Sequence, residues 1–326
     1  MHAASIEQLG PAEVIRFGEL PAPQPGPSDV LVSVEVVSVN HVDTFVRSGA
    51  WRTPLDFPFV IGRDLVGTVL EAGPAVAHRF APGMRVWCNS LGHDGRQGAA
   101  AEQAVVPADR LYPLPEGVDP VDVVALAHPA VTAYLALFVQ GEITAGDTVL
   151  VAGAAGNVGS ALVTMAAHAG ARVIATASPR DFDYVRELGA AEVIDYRDPD
   201  VPGRILALAP GGVDIHVDTS ARNDLETAVG LLASRGRIVV LSGMATRPVL
   251  PVGPLYLKDC SVRGFAISHA TAGRLAEAAA HVNRLTAAGL LRPRGTQVMP
   301  LSEAATAHRL LDEGKVTGKL VLRTGI

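Results

Sequence analysis

Hydrophobic and polar side chains alternate from Val30 to Val36. Val30, Val32, Val34 and Val36 fall on one face, and Leu31, Ser33 and Glu35 on the other. A period of two predicts a strand with one buried face. Shorter β-like runs follow at residues 66–70, 85–88 and 104–106, punctuated by Gly62, Gly67, Gly73, Pro82-Gly83, Pro113 and Pro115. After about residue 125 the texture changes. Continuous apolar runs at 149–152, 173–176, 193–194, 215–218 and 238–241 alternate with helical segments such as 156–169 and 224–234. That alternation predicts an α/β fold with a doubly wound parallel sheet. An amphipathic helix is expected over 270–288 and a short strand at 320–322, with this last segment packing back on the strand-rich first part.

Composition narrows the reading. The 326 residues suit two domains, and 48% hydrophobic against 18% charged residues is the balance of a buried globular chain. A net charge of −6 with scattered arginines leaves no basic footprint, so neither nucleic acid nor an anionic membrane is an expected partner. Two cysteines, Cys88 and Cys260, make no disulfide framework, and the first residues carry no basic and apolar leader. A reducing, cytoplasmic setting is expected. The longest apolar stretch, 121–139, is interrupted by Asp122, His128, Pro129 and Thr132, which reads as too polar to span a membrane.

The clearest chemical signal begins after Asp147. A strand leads into Gly153-Ala154-Ala155-Gly156-Asn157-Val158-Gly159, then a helix, then a second strand ending near Ser178. Glycines three apart allow a tight turn and close approach of backbone to a pyrophosphate, which the helix N-terminus then holds. Asn157 and Val158 offer N–H groups in that first turn. The second strand ends Ala177-Ser178-Pro179-Arg180 with no acid at its tip to bind a ribose hydroxyl. Arg180, with Tyr196 and Arg197 after the third strand, suits a 2′-phosphate, whereas Asp181 and Asp183 oppose one. NADPH is the expected cofactor. Ser178 followed by Pro179 is equally an ordinary helix N-cap with Pro at N1.

Four segments together resemble one family: VSVNHVDTFVRSG (37–49), PFVIGRDLVGTVLEAG (58–73), the AGAAGNVG turn (152–159) and GKVTGKLVL (314–322). The chain resembles the medium-chain dehydrogenase/reductase superfamily, in particular its zinc-free, zeta-crystallin-like quinone oxidoreductase branch. The resemblance implies a GroES-like catalytic domain over 1–125 and 268–326, a Rossmann domain over 126–267, and a homodimer. Zinc-dependent relatives carry Cys where Asn40 stands, and Gly-His-Glu where Gly62-Arg63-Asp64 stands. Cys88 and His93 lack ligand spacing, so no metal is expected.

By the same resemblance Asn40, Asp43 and Arg47 serve catalysis. Val42, Thr44 and Phe45 with Thr132, Ser220, Ser242, Gly243, Phe265 and Ile267 contact cofactor. A purely local reading also exists: Asn40 as N-cap, Asp43 at N3, Arg47 four residues later, and Gly49 ending the helix. The implied activity is NADPH-dependent reduction of quinones. The alternatives are enoyl or alkenal reduction on the same scaffold and a non-catalytic NADPH-binding protein. No Tyr-x-x-x-Lys donor pair is present; Tyr184 is followed four positions on by Leu188. Asp43, at N3 beside Arg47, is expected to be ionised and therefore a poor acid. Quinones, whose product oxygens water can protonate, are accordingly expected to outrun enones.

Overall fold

The computed structural model describes residues 1–325, which divide into two compact units: Met1–His128 with the segment from Ala270 onward, and Pro129–His269. The divisions fall three and two residues beyond the positions expected from the sequence.

In the first unit the alternating run becomes the long strand Asp29–Val39, with Val30, Val32, Val34 and Val36 all buried. It is the centre of a sheet ordered Thr296–Pro300, Lys319–Arg323, Asp29–Val39, Leu65–Ala72, Arg85–Cys88 and Leu111–Pro113, with Gln103–Pro107 also paired to it. A three-stranded sheet of Arg16–Glu19, His2–Ile6 and Phe59–Val60 lies outside that order. Two registers set up the chemistry of this unit. Leu320 faces Val39 in an antiparallel pair, so Lys319 comes opposite Asn40. Leu65 faces Val37, so Asp64 comes opposite Ser38. Three chain segments thus deliver polar residues to one end of an apolar sheet.

The helix His41–Ser48 starts where Asp29–Val39 stops, and Gly49 ends it at φ 78°, a left-handed C-cap that favours glycine. The expected pairing of Asp43 with Arg47 along this helix does not form. Arg47 is buried and turns away: Nη2 donates to Asp312 Oδ2 at 2.8 Å, and Nε donates to Gly10 O at 3.1 Å. Nη1 lies 3.2 Å from His308 Nδ1. A guanidinium can only donate, so His308 accepts there and is neutral. Burial, reinforced by Arg47, pushes the His308 imidazole down to about 3. The reason for the change of partner is geometric: Asp43 faces the sheet end, whereas Arg47 faces the helix Ala304–Asp312.

The second unit is one six-stranded sheet, parallel throughout, ordered Glu192–Asp195, Arg172–Ala177, Thr148–Ala152, Val213–Asp218, Leu232–Val240 and Ser261–Gly264. This is the doubly wound order, and the strand order reverses between Thr148–Ala152 and Val213–Asp218. One expected boundary is wrong. The segment 224–234 is helical only over Leu225–Leu231, and Leu232 already pairs with Val213. The register then shifts, with Arg235 at φ 66°, before Arg237 pairs with Ile215. A bulge lets the strand begin early.

A second correction concerns the apolar stretch. Pro120–Tyr134 is helical and continues as a π-helical turn over Leu135–Gln140; by length and hydropathy the whole could cross a membrane. Its punctuating polar residues do not disqualify it. Most of its side chains are buried inside the folded chain, as in a core helix of a globular protein.

Replacing Arg47 by Met should lower unfolding free energy by about 2–4 kcal/mol, because His308 and Asp312 lose a buried partner. Urea denaturation measures this. A loss under about 0.5 kcal/mol would mean that Arg47 does not hold the helix in place. The neutral, buried His308 adds a pH signature: its contribution to stability is intact above about 6.5 and lost as pH falls towards 3.

Candidate active site

In the Rossmann unit the site grows from the end of the first parallel strand. Gly153 follows Thr148–Ala152 at φ 77°, and a Cβ there would lie 2.6 Å from Thr219 Oγ1. That hydroxyl is fixed, donating to Ala152 O at 2.8 Å, so only glycine makes this turn without strain. A Cβ on Gly159 would lie 2.3 Å from Gly153 O, which shows how closely the helix Asn157–His168 starts against the turn. Gly156 differs. Its nearest neighbour in that direction, Gly153 O at 3.4 Å, is an ordinary contact. No packing inside the protein requires a glycine at 156; a ligand approaching the backbone would. Ala154 is buried and its N–H donates to Thr176 O at 3.0 Å, which pins the turn, with Ala155, across the second strand. The first helical turn, with Asn157 and Val158, presents backbone N–H groups that have no intrahelical acceptor.

The second strand, Arg172–Ala177, ends at Ser178, which stands at the N-cap position of a short 3-10 turn but makes no side-chain cap. Arg180 is largely exposed, 3.8 Å from Asp181. Tyr196 is fixed to the same strand end, its N–H donating to Ala177 O at 3.2 Å. The Tyr196 ring is half-exposed and flanked by two guanidinium groups, Arg197 at 4.9 Å and Arg222 at 5.9 Å from its centroid. Nothing local in the sequence singles out Arg222. It follows the fourth strand, and only the sheet order brings it beside Tyr196.

Ser220, Ser242 and Gly243 lie at the same strand ends. Asp218 accepts from the N–H groups of Ser220 at 2.7 Å and Asn223 at 2.9 Å. Asn223 Nδ2 donates to Ser242 O at 2.9 Å, with Gly243 next to it at φ 81°. The N–H of Phe265 donates to Val240 O at 3.3 Å, and Ile267 and Thr132 are buried.

In the strand-rich unit Asn40, Asp43, Asp64, Arg63, Ser38 and Lys319 are all buried. Asn40 is the helix N-cap and forms the expected capping box with Asp43 at N3, and its side chain also reaches the sheet end. Asn40 Nδ2 donates to Asp64 Oδ2 at 2.8 Å and, more weakly, to Ser38 Oγ at 3.1 Å and Asp43 Oδ2 at 3.3 Å. Lys319 Nζ donates to Asn40 Oδ1. Ser38 Oγ donates to Asp64 Oδ2 at 2.6 Å, and the Asn40 N–H to Asp43 Oδ2 at 2.8 Å. The expectation of an ionised Asp43 fails here. Burial, helped by the charge of Asp64, pushes its carboxyl up to about 7 against Arg63, the Asn40 N–H and Lys319. Asp64 is also raised, chiefly by burial, and Lys319 is lowered for the same reason. On the helix itself Thr44 is buried with Oγ1 donating to His41 O at 2.8 Å, Val42 is half-buried, and Phe45 is exposed.

These residues do not fit a metal. An amide, a guanidinium and an ammonium occupy the sheet end, and the ammonium already takes the Asn40 oxygen. Among the described residues no group of three His, Cys, Asp or Glu side chains converges as ligands.

Comparison with known proteins defines the class. Residues 26–116 match the alcohol dehydrogenase GroES-like domain family, and residues 157–284 match the zinc-binding dehydrogenase family. The chain is 31% identical to a Mus musculus quinone oxidoreductase, over 99% of this chain and 97% of the relative. It is 30% identical to a 2-haloacrylate reductase of Burkholderia sp, over 98% of each. It superposes on Escherichia coli quinone oxidoreductase complexed with NADPH at a TM-score of 0.86 and 25% identity, covering 99% of this chain and 100% of that one. The fold and site are those of an oxidoreductase enzyme built from a GroES-like unit and a Rossmann unit. The chain belongs to the medium-chain dehydrogenase/reductase superfamily, in its quinone oxidoreductase branch.

A Gly156→Val substitution should leave the fold intact by circular dichroism, since the protein leaves room for it, yet abolish dinucleotide binding by calorimetry. Undiminished NADPH affinity in the folded variant would remove the turn from the site.

Proposed function

We propose that this enzyme is an NADPH-dependent quinone reductase that transfers hydride without zinc. The observation that carries the reading is the Gly153–Gly159 turn at the reversal point of the sheet, with an arginine-flanked tyrosine and no acid at the tip of the second strand. NADPH, when bound, supplies the hydride. The backbone of Gly153, Ala154, Ala155, Gly156, Asn157 and Val158 holds its pyrophosphate. Ser178, Arg180, Tyr196, Arg197 and Arg222 receive its 2′-phosphate through charge-assisted hydrogen bonds. Arg180 would leave its loose contact with Asp181 to do so. Within the Rossmann unit Ser220, Ser242, Gly243, Phe265, Ile267 and Thr132 complete the cofactor's surroundings. Within the strand-rich unit Asn40 and Asp43 are the proposed catalytic residues, and Arg47 serves them by fixing the helix that starts at Asn40.

A second reading, reduction of an alkene conjugated to a carbonyl or carboxylate, is favoured by one observation. Hydride delivery to the β-carbon of an alkene requires a proton at the α-carbon, and Asp43 holds a proton near neutrality. The likeness to a 2-haloacrylate reductase points the same way.

The proposed assembly is a homodimer in the cytoplasm. Among the described residues the edge strand Ser261–Gly264 pairs on one side only, and the preceding helix exposes Val252, Tyr256 and Leu257. Both cysteines are free, as a reducing compartment requires.

Steady-state turnover of benzoquinone, phenanthrenequinone, an enone and chloroacrylate, followed by NADPH absorbance, tests the assignment. The quinones should give the highest kcat/KM. If the enone or chloroacrylate exceeds every quinone by about tenfold, the second reading replaces the first.

A further inference from the structure

Lys319 is buried at the sheet end, where an uncompensated ammonium is costly, and its donor reaches an amide oxygen rather than a carboxylate. That contact has a directional consequence. An ammonium meets only the oxygen of an amide, so Asn40 must aim Nδ2 at the carboxylates. Two of them converge there, Asp64 Oδ2 at 2.8 Å and Asp43 Oδ2 at 3.3 Å. Asp64 Oδ2 also takes the Ser38 hydroxyl, whereas Asp43 Oδ2 takes the Asn40 N–H. The second oxygen of each carboxyl, Oδ1, is buried with no hydrogen-bond donor among the described residues. Two carboxylates sharing one donor in a dry site do not both ionise readily.

We propose that Lys319 and Asp64 are positioning residues with opposite effects: the Asn40 amide, oriented by Lys319, and the Ser38 hydroxyl favour a charge on Asp64, Asp64 keeps the remaining proton on Asp43, and the Lys319 ammonium limits how firmly Asp43 holds it. The proposal rests on the reading of Asp43 as the acid of the reduction. In that step the hydride and its electron pair go to the β-carbon of a conjugated alkene while the C=C π bond breaks. The Asp43 proton forms the new C–H bond at the α-carbon. Asp43 is left as a carboxylate and regains a proton from water. NADPH is the reductant, and one hydride and one proton are consumed.

The groups facing the pair work in opposite directions. Burial and Asp64 raise Asp43; Arg63, the Asn40 N–H and Lys319 lower it. Asp64 is raised by burial and held down by Lys319, Ser38, Asn40 and Arg63. Arg63 itself is lowered chiefly by burial, against Asp43 and Asp64, with Arg110 adding to the lowering. His41 and His128, near Lys319, are held below the ordinary imidazole value, mainly by burial, and so add no charge at neutral pH.

The test is the carboxyl titration of the full chain with carbon-labelled aspartate, followed by NMR, with the Asp43 resonance assigned by its loss in Asp43→Asn. The wild-type midpoint is expected near 7. Asp64→Asn removes the neighbouring charge and should lower the midpoint by about one unit or more; Lys319→Met should raise it by about the same. Opposite shifts are the signature, because a residue that merely supported the fold would not move the midpoint by the sign of its charge. In the active enzyme the basic limb of the kcat/KM profile should shift in the same order. An Asp43 midpoint in the ordinary carboxylate range, or no shift or a same-direction shift in the two variants, would overturn the proposal. If Lys319→Met does not fold, Asp64→Asn decides alone. The titration needs no turnover, so it decides the proposal even for a chain that reduces neither quinones nor alkenes. Failure of turnover would fall on the proposed function instead.

Discussion

The contact of Lys319 with Asn40 is the constraint on which the strand-rich unit's chemistry depends. It follows from sheet register: pairing of Leu320 with Val39 brings Lys319 opposite Asn40, and pairing of Leu65 with Val37 brings Asp64 opposite Ser38. A one-residue slip in either pairing would send these side chains to the other face. The apolar residues of Asp29–Val39 therefore hold the polar cluster together by forbidding that slip. Burial then does the rest, since the same dry surroundings raise both carboxyls and lower the ammonium.

The two units use their glycines and cations differently. In the Rossmann unit the backbone is shaped for an anion: Gly153 makes the turn, Gly159 lets the helix close on it, and Gly156 leaves space that the protein does not fill. In the strand-rich unit the cations are internal and already engaged, Lys319 with Asn40 and Arg47 with Asp312 and His308. Arg47 illustrates how a residue can matter to a site without touching it. It anchors the helix His41–Ser48 from the far side, so that the start of the helix presents Asn40 and Asp43 to the sheet end.

Much of this is legible in the sequence, for physical reasons. The period of two in 30–36 and the apolar runs of the second half are local signals, and they mark strands where strands occur. The glycine spacing of the turn is local as well. What escapes a reading of the sequence is long-range. An ionised Asp43 is expected from its neighbour Arg47 along the helix, whereas its real neighbours are Asp64 and Lys319, distant in the chain. Arg222 joins Tyr196 only through strand order. The early start of Leu232–Val240 depends on a bulge that neither propensity nor period announces.

The proposed zinc-free hydride transfer rests on the internal ammonium–amide–carboxyl cluster of Lys319, Asn40, Asp64 and Asp43 at the sheet end. Metal analysis of the purified enzyme, expressed with added zinc and dialysed against a chelator, tests it most directly. The account predicts far less than one zinc per chain and unchanged reductase activity. One zinc per chain that survives dialysis, or activity lost with its removal, would contradict it.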